Sequence, residues 1–307
     1  MDDRVTSRGA PSGPTAPPQR SSLWRPTRER ALGLAWLLAG CVVVMELLAV
    51  PTKSWAIDSA TYWSVWSRPE MYSIPAGEPG AYLYSPLFAQ AIYPLTLLPW
   101  PVFSAVWLAL GLASYLWLVR PLRWVWSVPL LALACEDLRV GNVTWLVAIC
   151  AAVGMTHGAA WLGVVATKLA PAVALGWFVV RREWRPLGEA GVTVVVVVGV
   201  SVLVAPSLWW QWWTFLTSSH STAAMVRLVL AAVLVVVAAR RGWPWALPVV
   251  LVLASPIPGI YTVAFLCALP RLMSPEALSR AAAPFDGFVA GARRALDLPS
   301  RASQEPT

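Results

Sequence analysis

Long apolar runs separated by short polar turns constrain the fold of this chain more than any other feature. The first run, residues 31–50, has about the ~20 residues that a helix needs to cross a bilayer. Several later runs hold only about 10 to 14 residues, a length typical of helices that enter a membrane without crossing it. Charged residues make up only 12% of the chain, against roughly 25% in soluble domains. The sequence therefore predicts an all-α, polytopic membrane helical bundle with about 8 to 10 transmembrane or half-membrane helices.

Arginine clusters predict how this bundle is oriented. Residues 1–30 are rich in Pro, Ser, Gly and Arg, which indicates a disordered basic tail. Because excess Arg and Lys marks the cytoplasmic side, we expect this tail and the tail formed by residues 271–307 in the cytoplasm. Residues 31–270 are then the membrane domain of a multi-pass plasma-membrane protein, and residues 54–86 are its first extracytoplasmic loop.

The sides of the later loops depend on the apolar run 86–98. If this run dips into the membrane without crossing it, Arg120 lies inside, as its charge favours. The polar loops 136–142, 206–223 and 255–259 then face outward with loop 54–86. If the run crosses, the loops around Arg120 and 136–142 change sides. The net charge of +8 follows from such clusters, so we do not expect nucleic-acid binding.

Asp58 stands in the first extracytoplasmic loop, a few residues beyond the first apolar run. One interpretation is a hydrated loop acid that caps a helix over residues 59–67, since Asp is a favoured N-cap residue. The other is a catalytic base at the membrane surface, where a carboxylate could take a proton from a hydroxyl. The neighbouring aromatic residues, among them Trp55 and Tyr62, would suit stacking on a sugar face. The residues alone leave both interpretations open.

Lys168 interrupts the apolar run 159–180, and Pro171 follows three residues later. An ionisable residue inside a membrane is costly and indicates a functional site by default. The proline predicts a broken helix whose break opens to a cavity. A fixed cation at the outer membrane boundary would suit an anionic lipid headgroup. The alternative is a lysine that snorkels to the nearer interface.

Two further polar stretches carry candidate residues. The stretch EDLRVGN holds Glu136, Asp137, Arg139 and Asn142. Arg139 could make a forked contact to phosphate, and the alternative is a charged turn between two helices. His220 could carry a proton or donate a hydrogen bond, or it could be a solvated loop histidine. The four cysteines neither pair by spacing nor match a metal site.

Five short motifs, taken together in their order and spacing, resemble those of the integral-membrane glycosyltransferases of family 87. They are Ile57-Asp58 with the aromatic run after it, Tyr82-Leu83-Tyr84-Ser85-Pro86-Leu87-Phe88, Gly141-Asn142-Val143-Thr144, Gly163 to Pro171 followed by Arg181 to Arg185, and Leu253-Ala254-Ser255-Pro256-Ile257. Members of that family have a GT-C type fold and transfer mannose from a polyprenyl-phosphate donor in bacteria.

The resemblance implies a mannosyltransferase-like enzyme that acts at the outer face of the plasma membrane. Asp58 would be the general base of an inverting displacement, and Lys168 and Arg139 would bind the donor phosphate. The residues expected to contact substrate are Trp55, Tyr62, Tyr84, Asn142, His220 and Tyr261. The expected partners are a polyprenyl-phosphate sugar, a glycolipid or glycan acceptor, and membrane lipids. The lipid-linked sugar is a substrate, so no cofactor is expected, and no metal is required, although Glu136 and Asp137 leave a metal open.

One departure from the family pattern keeps other functions open. The family usually continues its Ser-Pro-Ile-Ser-Trp motif with an acid and a His, whereas in this chain Pro258, Gly259, Ile260 and Tyr261 follow Ser255-Pro256-Ile257. A non-catalytic relative that binds polyprenyl-phosphate sugars, or that scaffolds other envelope enzymes, is therefore an alternative. A lipid or solute transporter is another. Transporters usually show inverted repeats and polar residues near the membrane midplane, whereas the polar residues here concentrate at one face.

Overall fold

The computed structural model describes residues 28–49, 55–218, 221–257 and 259–282. Every regular element in these ranges is helical, which confirms the prediction of an all-α fold. The predicted N-terminal tail lies almost entirely outside the described residues, as does His220. The predicted C-terminal tail is described only as far as residue 282.

The described residues form fifteen α-helices and five short 3₁₀ helices. The α-helices are α1 (Arg28–Ala49), α2 (Ile57–Ser64), α3 (Pro86–Thr96), α4 (Trp100–Val119), α5 (Trp124–Ala132), α6 (Cys135–Val140), α7 (Thr144–Gly154), α8 (Trp161–Thr167), α9 (Gly176–Arg181), α10 (Trp184–Val204), α11 (Pro206–Ser218), α12 (Thr222–Arg241), α13 (Leu247–Ala254), α14 (Leu269–Leu272) and α15 (Pro275–Ala282). The 3₁₀ helices are Val65–Ser67, Gly158–Ala160, Ala170–Leu175, Pro244–Ala246 and Ile260–Ala268.

Four of these helices, α1, α4, α10 and α12, are long and apolar enough to cross a membrane. They also expose large apolar side chains. On α10, for example, Val195 is 72% exposed and Leu203 is 83% exposed. Extended apolar surface of this kind marks contact with a membrane or another apolar partner. Five shorter apolar helical stretches accompany the four long helices within the described ranges. The protein is therefore a polytopic membrane helical bundle.

Helix breaks lie where proline and polar residues predict them. Helix α8 ends at Thr167, Lys168 has extended backbone angles, and the next 3₁₀ helix begins at Ala170. Helix α13 ends at Ala254, and Ser255 is extended. Both breaks leave backbone polar groups that must be satisfied by protein or by a polar cavity.

The run 86–98 forms α3, which has only 11 residues. At about 1.5 Å per residue such a helix is about 16 Å long, roughly half the thickness of the hydrocarbon core. Its length therefore suits a helix that enters the membrane and does not cross it alone.

Two stretches predicted as loops are helical instead, and both predictions were wrong. The stretch 206–223 contains α11, a helix of 13 residues, because its Trp212 and Phe215 side chains are buried. The stretch 136–142 contains most of α6. Its charged side chains are buried rather than solvated, because Arg139 forms ion pairs with Glu46 and Glu136.

An aromatic core holds α2 against α3 and α4. Tyr62 of α2 is only 1% exposed, and its ring centroid lies 5.5 Å from that of Phe88 and 5.4 Å from that of Trp107, both edge-on. The indole N–H of Trp63 donates to the carbonyl of Leu98 at 2.8 Å. Edge-on aromatic pairs contribute about 0.5–1.5 kcal/mol each beyond area burial, so this core gives α2 and its acid a fixed position.

Candidate active site

Asp58 lies in the first turn of α2, and a backbone hydrogen bond fixes the start of that helix. Ala56, immediately before α2, has left-handed backbone angles with φ of 56°. Its N–H donates to the carbonyl of Arg139 at 2.8 Å, which ties α2 to α6. Asp58 is inside the helix and not at its N-cap, so the interpretation as a capping acid was wrong. The carboxylate remains available for side-chain contacts.

A tight turn after α6 presents Asn142 to Asp58. Gly141 ends α6 with φ of 69°, a left-handed conformation that favours glycine. A Cβ at this position would lie 2.7 Å from the Cβ of Ser59 on α2, so only glycine allows this approach. The side-chain N–H of Asn142 then donates to Asp58 Oδ2 at 2.5 Å.

Asn142 also contacts Lys168, and it therefore connects the acid and the cation. Lys168 Nζ donates to Asn142 Oδ1 at 3.1 Å and to Thr144 Oγ1 at 3.3 Å. The backbone N–H of Val143 donates to the same amide oxygen at 2.7 Å. These contacts fix which way the amide points, because its oxygen receives three donors in all, including the Thr144 hydroxyl.

Lys168 reaches this position because α8 ends one residue before it. The Ser85 hydroxyl donates to the carbonyl of Ala166 at 2.6 Å, which holds the end of α8 to the beginning of α3. On its other side the ammonium lies 5.1 Å from the ring centroid of Tyr261 and 5.6 Å from that of Phe265. Aromatic faces attract cations. The lysine is half-buried and points into the site instead of extending to an interface.

Opposing influences act on the pKa of Asp58. Burial raises the pKa of the carboxyl above its ordinary value, because it disfavours the charged form. The Asn142 hydrogen bond lowers the pKa of Asp58, and so does the positive charge of Lys168, while the negative charge of Glu136 raises it. The net result is a raised pKa. Such a carboxylate is a stronger base than an ordinary aspartate.

A cavity of about 800 Å³ opens over these residues. Its polar wall contains Asp58, Asn142, Lys168, Tyr84 and Tyr261. Its apolar wall comes from the helix after the Lys168 break and from α12, with residues such as Leu169, Val173, Met225 and Leu228. A cavity with convergent polar groups on an apolar wall suits an amphipathic ligand that has a polar head and an apolar tail.

Two tyrosines predicted to contact substrate sit in the polar wall. The hydroxyls of Tyr62 and Tyr84 are 2.7 Å apart, and both residues line the cavity. Tyr261 lines it too, and its hydroxyl donates to the carbonyl of Ile257 at 2.8 Å. The structure thus brings Asp58, Asn142 and Lys168 together with all three tyrosines. Trp55, by contrast, is 63% exposed and is not among the residues that line this cavity.

Arg139 lies behind the site and does not line the cavity. Its guanidinium pairs with Glu46 of α1 at 2.6 Å and with Glu136 at 2.7 Å. All three residues are buried. Asp137, also buried, accepts from the Tyr115 hydroxyl at 2.5 Å. The charges of this stretch therefore bind α6 to α1 and α4, which is a structural arrangement and does not direct Arg139 toward a ligand.

No group of three or more His, Cys, Asp and Glu side chains within the described ranges is arranged to hold a metal ion. The two acids that left a metal open, Glu136 and Asp137, each face a different protein partner: Glu136 faces Arg139, and Asp137 faces Tyr115.

Sequence reasoning missed Glu46 and the role of Thr144. Glu46 is the only charged residue in the apolar run 31–50, and an acid inside a membrane span is a signal that could have identified it. Thr144 was visible in the Gly-Asn-Val-Thr motif, but its contact with Lys168 depends on the position of the α8 break.

Comparison with known proteins adds the family. The model of glycosyltransferase family 87 matches residues 82–289. This range includes the Asn142 turn, the Lys168 break and Tyr261, whereas Asp58 precedes it. No curated protein and no solved structure shows a significant similarity to the chain. Because the family match covers more than half of the chain and includes most of the residues around the cavity, the protein belongs to glycosyltransferase family 87.

Proposed function

We propose that the protein transfers a mannosyl residue from a polyprenyl-phosphate donor to an envelope glycolipid or glycan, with inversion at the anomeric carbon. We place the reaction at the extracytoplasmic face of the plasma membrane, with no cofactor. Membership of the family supports glycosyl transfer. The observation that carries the rest is the chain of contacts from Asp58 through Asn142 to Lys168 at the wall of an amphipathic cavity.

Asp58 is the general base of this proposal. Its Oδ2 is held by Asn142, while Oδ1 has no hydrogen-bond partner among the described residues, so it can accept from an acceptor hydroxyl. As the hydroxyl oxygen attacks the anomeric carbon, its proton passes to Asp58. The bond between that carbon and the phosphate oxygen breaks on the opposite face, and the phosphate leaves with the electron pair.

Lys168 stabilises the negative charge that develops on the leaving phosphate. An ammonium has three N–H donors, and two of them are used by Asn142 and Thr144. The third is available to a phosphate oxygen in the cavity. A cation that is held in place before the reaction stabilises the leaving group without any reorganisation of the site. Electrostatic stabilisation of this kind is the largest contribution to the rate enhancement in many enzymes. Arg139 is paired with two acids, and we assign it to the support of α2 and α6 instead.

The apolar wall suits the polyprenyl chain. Leu169, at the break, is 50% exposed, and Met225 and Leu228 of α12 continue the surface. A lipid tail on this wall would place its phosphate beside Lys168 and its sugar toward Asp58. Tyr62 and Tyr84 would then lie beside the sugar, and Tyr261 would lie on the far side of the ammonium.

Transfer of labelled mannose from polyprenyl-phosphate mannose into membrane glycolipids tests this proposal. We expect Asp58→Asn to lower incorporation by about 10²- to 10⁴-fold, the usual contribution of a general base. The matched control is Glu78→Gln, which removes an exposed acid that lines the same cavity, and it should leave incorporation unchanged.

Anomeric analysis of the product should show inversion. Equal incorporation by the wild-type protein and Asp58→Asn would overturn the assignment of the base. Absence of protein-dependent incorporation in both would overturn the proposed donor and favour the non-catalytic alternative.

A further inference from the structure

A second cavity lies directly beside the cavity that contains Asp58 and Lys168, which we call the catalytic cavity in keeping with the proposed function. Its volume is about 910 Å³. Residues that line both cavities include Leu83, Leu216, Ser221 and Pro256, so the two are contiguous. Neither Asp58 nor Lys168 lines the second cavity. A group bound there would therefore adjoin the catalytic cavity without occupying the proposed donor site.

The second cavity contains one arginine, Arg227 of α12. One of its terminal nitrogens donates to the carbonyl of Pro256 at 2.8 Å, which holds the side chain against the break after α13. Its Nε is buried and has no hydrogen-bond partner in the part of the chain that the structure describes. Within the described residues it forms no ion pair. Arg227 is half-buried and lines the cavity, and a guanidinium has five N–H donors, so the accessible part of the group can still donate to a ligand.

The other polar groups of this cavity are compatible with a hydrated headgroup. They include Gln211 and Thr214 of α11, together with Ser73 and Glu70 of the segment after α2. Glu70 is exposed to solvent and forms no ion pair with Arg227. Trp210, which is 70% exposed, adds an aromatic face of the kind that sugars stack on. The cavity therefore combines one incompletely bonded cation with polar and aromatic walls.

We propose that this second cavity binds the acceptor and that Arg227 binds an anionic group on it, a phosphate or a carboxylate. The inference rests on the proposed function, since it takes the catalytic cavity as the donor site. Arg227 presents a planar set of donors suited to an oxyanion. Pro256 lines both cavities and accepts from Arg227, so the position of this cation is tied to the wall that the donor and acceptor share.

Binding of a simple probe tests the site without relying on activity. Octyl phosphate provides the anion, octyl glucoside is its neutral counterpart, and the full chain is purified in detergent. We expect Arg227→Gln to weaken octyl phosphate binding about tenfold or more, since hydrogen bonds to charged groups contribute strongly. Arg227→Lys should restore part of the affinity. The matched control is Arg240→Gln, which removes an exposed arginine from the opposite end of the same helix.

Lys168→Met shows in which of the two cavities the probe binds, because Lys168 lines only the catalytic cavity. Retained binding in Lys168→Met together with loss in Arg227→Gln supports a separate anion site. Loss in Lys168→Met with full binding in Arg227→Gln would mean that the anion enters only the catalytic cavity, and it would overturn the inference. Equal binding of both probes by all variants would overturn it as well.

Transfer into fractionated acceptors tests the class of acceptor. Glycolipids from host membranes are separated by anion exchange into neutral and anionic pools, and each pool is offered with labelled donor. We expect label in the anionic pool and a raised acceptor KM in Arg227→Gln, with the donor KM unchanged. Label confined to the neutral pool would overturn the inference and leave the proposed function standing. Absence of label in both pools would instead count against the proposed function, while the binding assay would still decide the anion site.

Discussion

At the scale of single residues, the site depends on an amide that touches both the acid and the cation. Asn142 donates to Asp58 and accepts from Lys168. Because an amide is neutral, it can bond the two charged groups without adding charge to either. An aspartate at position 142 would lack the N–H that Asp58 accepts, and it would place two carboxylates in contact. Asn142 thereby fixes both geometry and charge.

Lys168→Met should move the acid limb of the activity profile to higher pH. Asp58 must be deprotonated to act as a base, and its pKa already lies above the ordinary value. Lys168 lowers that pKa, so its removal raises it further. Activity is then lost at a higher pH as the medium is acidified. The plateau should also fall, by about a hundredfold, because the leaving phosphate loses its cation.

The measurement is the transfer rate against pH for the wild-type protein and for two variants of Lys168. Lys168→Arg keeps the charge and should keep the acid limb near its wild-type position even if the plateau falls. An unchanged acid limb in Lys168→Met would show that the titrating group is not Asp58, or that the lysine does not act on it.

The individual residues were predictable where one local pattern carried the signal. Asp58 stood alone after a membrane run, and Lys168 interrupted another run next to a proline. Arg139 was harder, because its partner Glu46 is 93 residues away in the chain and only the packing of α1 against α6 joins them. A long-range ion pair of this kind determines the role of a residue, and the neighbouring sequence gives no sign of it.

At the scale of elements, the docking of α2 on the α6 turn places the acid. The contact requires a glycine because two conditions meet at Gly141: the left-handed φ of 69° and the close approach of Ser59. Trp107 adds a third constraint, since its indole N–H donates to the carbonyl of Gly141 at 2.9 Å. The Gly141 turn is therefore held by α4 on one side and packs against α2 on the other, which fixes where α2 lies.

Gly141→Ala should lower transfer strongly, because the new Cβ would push α2 and Asp58 away from Asn142. The left-handed conformation alone should cost about 1–2 kcal/mol of stability. Gly242→Ala is a matched control, since Gly242 has φ of 65° and the nearest neighbouring atom, on the Arg181 side chain, would lie 3.9 Å from the new Cβ. Thermal unfolding and transfer rate are measured for both variants.

We expect Gly242→Ala to lose only the stability that the left-handed conformation costs, Gly141→Ala to lose more because of the added contact with Ser59, and transfer to fall strongly only in Gly141→Ala. Equal transfer by the two at equal protein level would contradict the view that this approach positions Asp58.

Helix breaks were predictable from proline, whereas short helices with polar residues were not. Pro171 and Pro256 follow closely on interruptions that the structure confirms. Helix α11 was missed because its sequence mixes tryptophan with Ser, Gln and Thr and shows no long apolar run. This helix packs against α3 and α10, and no local sequence pattern indicates those contacts.

At the scale of the whole molecule, the proposed chemistry requires both cavities to open on the extracytoplasmic side. We expect a membrane-impermeant thiol reagent to label Glu78→Cys in intact cells and to leave Arg240→Cys unlabelled. Residue 78 lines the cavity that contains Asp58, and residue 240 lies in the last turn of α12, the helix whose other end lies at that cavity. Both positions are exposed, so access to reagent depends on the side of the membrane.

Both cysteine variants are made in a Cys41→Ser background. Among the cysteines that the structure describes, Cys41 is the exposed one, and its thiol would otherwise react with the reagent. Permeabilised cells should label both positions, which shows that each thiol is reactive. The reverse pattern in intact cells would place the cavities in the cytoplasm and would contradict the proposed orientation.

The ion pair between Glu46 and Arg139 has a consequence for how the protein is made. Synthesis delivers α1 to the membrane with its acid well before Arg139, 93 positions further along the chain, is made. During that interval the carboxylate of Glu46 must be hydrated, protonated or shielded by the insertion machinery, since an acid in lipid is costly. The first helix can therefore take its final place only after α6 has been translated. Asp58, the proposed base, is held to α6 through Ala56 and reaches its position at the same late step.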